Sequence, residues 1–155
     1  MDTAIDGNML RLVRIFDAPR ERVFAAWAEQ EKFVQWMCPP GVAIDECVID
    51  VRPGGAWRIK GRHAEDGRVF ASSGKYVEIE PPARLVFTWA HHADGDYDKP
   101  RGHETTVRIE LRALGDRTEL TLIHGPFVDA PSFDAHRNGW MGSFDKLAGF
   151  LERTA

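Results

Sequence analysis

The sequence lacks the features that mark several common classes of protein. Its 155 residues hold 20 Lys and Arg against 24 Asp and Glu, a formal charge of −4, and the basic residues form no run. Nucleic-acid-binding domains usually display a basic stripe, so we expect no nucleic acid partner. No apolar stretch approaches the roughly 18 residues of a membrane-spanning helix, so we expect no membrane span.

Cysteine is also scarce, since the chain holds only Cys38 and Cys47. The first eight residues contain two Asp and no basic residue, which is unlike the start of a signal peptide. We therefore expect a cytoplasmic protein with free thiols, although the spacing alone leaves a disulfide open. A chain of this length can bury a core without such links, and we expect a single domain over residues 1–155.

Aromatic residues, in contrast, are abundant, with five Trp and nine Phe. Each such ring buries about 150–250 Å² when it leaves water. So many large rings in a small domain either fill a thick core or line a hollow.

Hydrophobic periodicity and turn residues predict seven strands and three helices. The strands are expected at residues 9–16, 42–51, 57–62, 69–80, 85–91, 107–112 and 119–124. Two short helices are expected between the first two strands, one after Pro19 and one over residues 30–37. A long final helix carries an apolar stripe from Phe133 to Leu151, with Asp129 or Ser132 as its N-cap.

This order predicts an α+β fold of the helix-grip kind. Consecutive strands joined by short turns pair antiparallel, and the long helix is the element able to cover one face of the sheet. Because one long and two short helices cannot fill a strongly curved seven-stranded sheet, we expect an apolar cavity between the sheet and the C-terminal helix. A collapsed, filled core is the alternative.

Several stretches resemble the START/SRPBCC superfamily, and more narrowly its branch related to the C-terminal domain of the activator of the heat-shock-protein-90 ATPase. They are RIFDAP at 14–19, VFAAW at 23–27, DVRPGGAW at 50–57, GKYVEIEPPARLVFTW at 74–89 and HRNGW at 136–140. The resemblance covers nearly the whole chain in the same order. It implies the helix-grip fold, and relatives that include lipid carriers, polyketide cyclases and co-chaperone domains.

The candidate ligand-binding residues lie on faces predicted to point inward. They are Trp36, Trp57, Tyr76, Phe87, Trp89, His91, Leu122, His124, His136, Trp140 and Phe144. Ligand pockets are lined mainly by apolar and aromatic side chains with a few placed polar groups. The histidines could recognise a ligand or transfer protons, or they could be hydrogen-bonded core residues.

Motifs for other chemistry are missing. The segment 94–98 begins like a calcium loop, but Lys99 stands where that loop needs Gly. His91, His92 and His103 flank it without the spacing of a zinc site. No G-x-S-x-G or G-x-G-x-x-G occurs, so we expect no metal and no cofactor, and we assign no catalytic residue.

The leading hypothesis is therefore a protein that binds a small hydrophobic molecule, which could be aromatic. One alternative is an enzyme of the polyketide cyclase/dehydratase type that uses acid–base catalysis. A second alternative is a co-chaperone-type protein-interaction module. Edge strands of the antiparallel sheet leave a homodimer open.

Overall fold

A computed structural model describes residues 2–5 and 8–154 of the chain. The elements follow in the order β1 (Asp2–Ile5), β2 (Met9–Phe16), α1 (Arg20–Ala28), α2 (Gln30–Trp36), β3 (Val42–Ile49), β4 (Ala56–His63), β5 (Val69–Glu80), β6 (Arg84–His91), β7 (Thr105–Leu114), β8 (Arg117–Gly125) and α3 (Ala130–Arg153). A short 3₁₀ turn, Ala93–Gly95, lies in the loop after β6.

The strands form one antiparallel sheet in the order β1-β2-β8-β7-β6-β5-β4-β3. All seven predicted strands are present, and the short strand β1 adds an eighth by pairing with β2 from Asp2↔Leu12 to Ile5↔Met9. Four residues at a sheet edge carry too short a pattern to identify as a strand. The curved sheet with a long C-terminal helix confirms the predicted α+β, helix-grip architecture.

The long helix α3 starts earlier than the apolar stripe indicated, at Ala130 instead of Phe133. Asp129 is its N-cap, because its carboxylate accepts a hydrogen bond from the backbone N–H of Ser132 at 2.8 Å. Pro131 occupies the first turn, where a missing N–H costs no helical hydrogen bond.

The C-terminal half of α3 closes one end of the fold, which we call the packed end. Its large apolar side chains are buried: Phe144, Leu147, Phe150 and Leu151. Phe144 contacts Phe16 of β2 edge-to-face, with ring centroids 5.9 Å apart. Trp27 of α1 lies at the centre of this end, 4.6 Å from Trp36 and 6.3 Å from Phe144 between ring centroids. This end is filled by interlocking aromatic rings.

Candidate functional site

The other end of the fold is hollow. A cleft of about 300 Å³ opens between the N-terminal half of α3, the segment after α2, and strands β3 to β6. Its lining consists of Met37, Cys38, Pro39, Val42, His63, Arg68, Phe70, Ser72, Trp89, His91, Ala135, His136, Gly139, Trp140 and Ser143. By volume it has room for on the order of ten water molecules, at about 30 Å³ each.

Small residues on α3 keep this cleft open. Ala135, Gly139 and Ser143 line it at spacings of four residues, which places them on one helix face. A Cβ atom built on Gly139 would meet no other atom within 4 Å. One turn further, a Cβ on Gly142 would lie only 2.8 Å from Cβ of Pro39. The helix therefore touches the turn after α2 at Gly142 and stands away from its surroundings at Gly139.

The sheet wall of the cleft is shaped by a glycine and by indoles that pack at an angle to one another. Gly61 of β4 leaves room for the Phe70 ring, since a Cβ there would lie 3.0 Å from that ring. Trp89 of β6 packs against Trp57 at 5.0 Å and against Trp140 of α3 at 5.8 Å between ring centroids. The cleft therefore has apolar, aromatic surfaces on both the sheet side and the helix side.

A pair of histidines forms the polar part of the cleft. Nε2 of His91 lies 3.1 Å from Nε2 of His136, joining β6 to α3. Nδ1 of His91 is 2.7 Å from the Ser72 hydroxyl, and Nδ1 of His136 is 2.8 Å from the carbonyl oxygen of Ser132. Each ring is thus oriented by a hydrogen bond on its far side.

Both histidines are held in the neutral form. Although the open cleft leaves His91 exposed, protein atoms crowd its other sides. Desolvation lowers the pKa of His91 to about 4, with a further contribution from the positive charge that His136 or His92 would carry. Desolvation also lowers the pKa of His136. At neutral pH each imidazole therefore offers one donor and one acceptor.

The third predicted histidine, His124, lies in the core instead. It is completely buried; its Nδ1 accepts a hydrogen bond from the Trp140 indole at 3.0 Å, and its Nε2 bonds the Thr105 hydroxyl at 2.7 Å. Both ring nitrogens are therefore used within the protein. Desolvation holds the pKa of His124 well below its usual value.

The predicted site residues divide into two groups. Trp89, His91, His136 and Trp140 line the cleft together. The structure places the others in the core outside this lining, namely Trp36, Trp57, Tyr76, Phe87, Leu122, His124 and Phe144. Burial also raises the pKa of Tyr76, which keeps its phenol protonated.

The sequence interpretation missed the remaining lining residues, and only some of them carried a signal. His63 and Ser72 share the inward parity of their strands, since Ile59 and Gly61 precede His63 and Ile59 pairs with Ser72. Met37 to Pro39 lie in an irregular segment without periodicity. Gly139 contributes to the cleft by having no side chain, and a pattern of apolar residues cannot reveal such a contribution.

The thiols and the loop histidines do not form a second chemical site. Cys38 and Cys47 are free, and desolvation raises their pKa to about 12 and about 11, which leaves both thiols protonated and unreactive. His103 bonds the carbonyl oxygen of Pro126 at 2.7 Å. Within residues 2–5 and 8–154, no three His, Cys, Asp or Glu side chains converge as metal ligands.

A second depression, of about 830 Å³, lies on the outer face of β4 and β5. Although larger, it is bordered by exposed side chains such as Arg58, Lys75 and Val77, and none of the described residues that line it belongs to a helix. We therefore assign the candidate site to the smaller cleft under α3, which has walls on both sides and aromatic surfaces. None of the described helices is both long and apolar enough to cross a membrane.

Comparisons with known proteins agree with this architecture. The crystal structure of the AHSA1 protein from Silicibacter pomeroyi is 31% identical, with a TM-score of 0.84, over 95% of this chain and 99% of that one. A Chromobacterium violaceum protein is 27% identical, with a TM-score of 0.78, over 94% of this chain and 97% of that one. A Rhodobacter sphaeroides protein shares the fold at 21% identity, with a TM-score of 0.82, over 100% of this chain and 99% of that one.

A search of curated proteins finds no significant match. The family model for Activator of Hsp90 ATPase homolog 1-like protein, however, matches residues 17–152. That range begins just before α1 and ends within the last turn of α3, so it includes both short helices and all of the cleft lining. This chain belongs to the family of Activator of Hsp90 ATPase homolog 1-like proteins.

Proposed function

We propose that this protein binds a small, largely apolar molecule in the cleft between α3 and strands β3 to β6. The observation that carries the proposal is the 300 Å³ cleft itself, which lies between two aromatic walls and opens next to a helix position without a side chain. Pockets for small molecules commonly begin at about this volume. A planar ring system would contact Trp89, Trp140 and Phe70.

The experiment measures binding directly. Purified protein is titrated with a panel of aromatic and aliphatic compounds of about 8 to 15 heavy atoms, a size chosen to match the cleft volume. Intrinsic tryptophan fluorescence and native mass spectrometry report the complex, and Trp89 and Trp140 serve as reporters within the site. We expect saturable quenching and a 1:1 adduct for a subset of the panel.

A cavity-filling variant locates the binding. Gly139→Leu places a side chain in the open space of the cleft and should abolish binding without unfolding the helix. Asn138→Leu adds the same side chain at an exposed neighbouring position of α3 and should bind like the wild type. Circular dichroism checks that both variants are folded. Equal binding by Gly139→Leu and the wild type, or no binding across the panel, would contradict the proposal.

Acid–base catalysis of the cyclase/dehydratase type is the second candidate, and the His91–His136 pair is the observation that favours it. A neutral imidazole facing a bound substrate can accept a proton from it. Compounds that bind are therefore incubated with the protein and analysed for conversion. Turnover lost in both His91→Gln and His136→Gln, with binding retained, would support catalysis; the absence of conversion would leave binding as the function.

A further inference from the structure

The charge of the cleft lining differs from that of the whole chain. The chain carries more Asp and Glu than Lys and Arg, yet none of the described residues that line the cleft is an Asp or a Glu. The ionisable side chains there are Arg68, His63, His91 and His136, together with the protonated thiol of Cys38. The lining therefore favours a ligand with negative charge over one with positive charge.

Hydrogen bonds within the histidine pair fix where its protons lie. The carbonyl oxygen of Ser132 can only accept, so Nδ1 of His136 carries the hydrogen and its Nε2 is an acceptor. The contact of 3.1 Å between the two Nε2 atoms then requires a donor, which is the Nε2–H of His91. Nδ1 of His91 is left to accept from the Ser72 hydroxyl.

This assignment leaves one donor without a good acceptor. The indole Nε1–H of Trp89 approaches Nε2 of His91 at 3.4 Å, but that nitrogen already carries a hydrogen. The N–H groups of Trp89 and His91 therefore lie side by side. Among the described residues only one acceptor, Nε2 of His136, is available to them. Trp89 is only 9% exposed, and a buried donor gains from an acceptor brought by a ligand.

Two more cationic or donor side chains stand at the same wall. His63 ends β4, and Arg68 is its partner across the β4–β5 hairpin, with the His63 N–H bonded to the Arg68 carbonyl oxygen at 2.9 Å. Both side chains line the cleft. The backbone N–H of Arg68 donates to Oδ1 of Asp66 at 2.9 Å and, with a smaller contribution from the Arg68 charge, lowers the pKa of that carboxyl; no salt bridge of the Arg68 side chain occurs among the described residues.

We propose that the ligand of this cleft is an amphiphilic carboxylic acid, whose carboxylate binds at the N–H groups of Trp89 and His91, with Arg68 and His63 at the rim and the apolar part against Trp140 and Phe70. This inference rests on the proposed binding function. It adds the chemical class of the ligand. A carboxylate accepts several hydrogen bonds at once and so uses the surplus donor.

The test compares acids with neutral compounds of the same shape. Three pairs are titrated at pH 7.5: 2-naphthoate with 2-acetylnaphthalene, cinnamate with benzalacetone, and decanoate with undecan-2-one. Each methyl ketone replaces a carboxylate oxygen by a methyl group and keeps the apolar part. We expect the acid to bind about tenfold to a hundredfold more tightly than its ketone in at least one pair, the ratio that a charge-assisted hydrogen bond provides.

Variants then assign the preference to these residues. In His91→Leu the ratio of acid to ketone affinity should fall towards one while the ketone still binds. Arg68→Gln, at an exposed position that does not risk the fold, should weaken the acid about two- to fivefold and leave the ketone unchanged. Arg117→Gln removes an exposed arginine from the β7–β8 hairpin, away from the cleft, and is the matched control.

The possible outcomes separate this inference from the function on which it rests. Ketones that bind as tightly as their acids would overturn the carboxylate proposal and leave the binding function intact. An acid preference that survives both His91→Leu and Arg68→Gln would overturn the assigned residues. If no member of any pair binds, the binding function fails together with the inference.

Discussion

The two halves of helix α3 differ in how completely their side chains fill the space between the helix and the sheet. The C-terminal half presents Phe144, Leu147 and Leu151 to a core that they fill. The N-terminal half presents His136 and Trp140 together with the small residues Ala135 and Gly139, and beside the small residues the sheet and the helix stand apart around a cleft. One continuous helix therefore serves as a core element at one end and as a wall of the cleft at the other.

The histidines differ in a similar way, although their rings are neighbours. His124 lies behind His136, with ring centroids 5.3 Å apart; it uses both ring nitrogens within the protein and is excluded from water. His91 and His136 bond each other across the cleft, and His91 remains exposed. Saturated hydrogen bonding is typical of a structural residue, whereas polar groups that face an open space are available to a ligand.

The largest expected effect comes from opening a cavity at the packed end. Phe144→Ala removes a ring that is 2% exposed and in contact with Phe16 and Trp27, so the free energy of unfolding should fall by about 3–5 kcal/mol. Denaturant titration measures this loss. Met141→Ala, on the exposed side of the same helix, is the control and should change stability by less than about 0.5 kcal/mol. Similar losses in both variants would contradict the described packing.

The next largest loss of stability is expected when a hydroxyl partner of a histidine is removed. Two such pairs can be compared, because the hydroxyl oxygen lies 2.7 Å from the ring nitrogen in both. Thr105→Val leaves the buried Nε2–H of His124 without its partner and should lower the free energy of unfolding by about 1–3 kcal/mol. Ser72→Ala removes the partner of His91, whose exposed ring can turn to water, and should cost about 1 kcal/mol or less. Equal costs, measured by chemical unfolding, would show that the two sites do not differ in access to water.

A smaller effect appears in the pH dependence of stability. The folded-state pKa of His124 lies well below its unfolded value, because desolvation disfavours the charged ring and positive charge on His136 or His91 would disfavour it further. The unfolded chain then binds more protons, so stability is full above about pH 6.5 and is lost as the pH falls. For this one residue the slope is at most about 1.4 kcal/mol per pH unit.

Unfolding free energies are measured from pH 7.5 to 5.5, above the range in which most carboxylates titrate. His124→Gln keeps a donor and an acceptor but cannot be protonated, and its profile should be flatter than that of the wild type. A variant profile parallel to that of the wild type would show that His124 does not contribute.

The smallest effect comes from Gly139 and Gly142, two of the three glycines of α3. Gly139→Ala should raise the free energy of unfolding by about 0.5–1 kcal/mol, because alanine favours the helix and its Cβ meets open space. Gly142→Ala brings the same gain in helix propensity, but its Cβ would press on Pro39, and the net change should be a loss. Thermal unfolding of both variants gives the sign of each change. Stabilisation by both would contradict the contact at Gly142.

Periodicity was sufficient to predict seven of the eight described strands, the two short helices and the apolar stripe of α3, because these elements have one face in the core. It could not separate core rings from cleft rings. Phe87 and Trp89 lie two residues apart on the same inward face of β6, and only tertiary packing places Trp27 against Phe87 and leaves Trp89 at the cleft. Likewise, no local pattern brings His91 to His136, which are 45 residues apart.

Along α3, the positions that shape the cleft are different from the positions that anchor the helix to the core. Residues 135, 139 and 143 shape the cleft, whereas the residues that hold the helix in place lie further towards its C-terminus. Substitutions in sites that share no contacts usually have additive effects. Substitutions at positions 135 and 139, neither of which is buried, can therefore change the shape of the cleft without repacking the core.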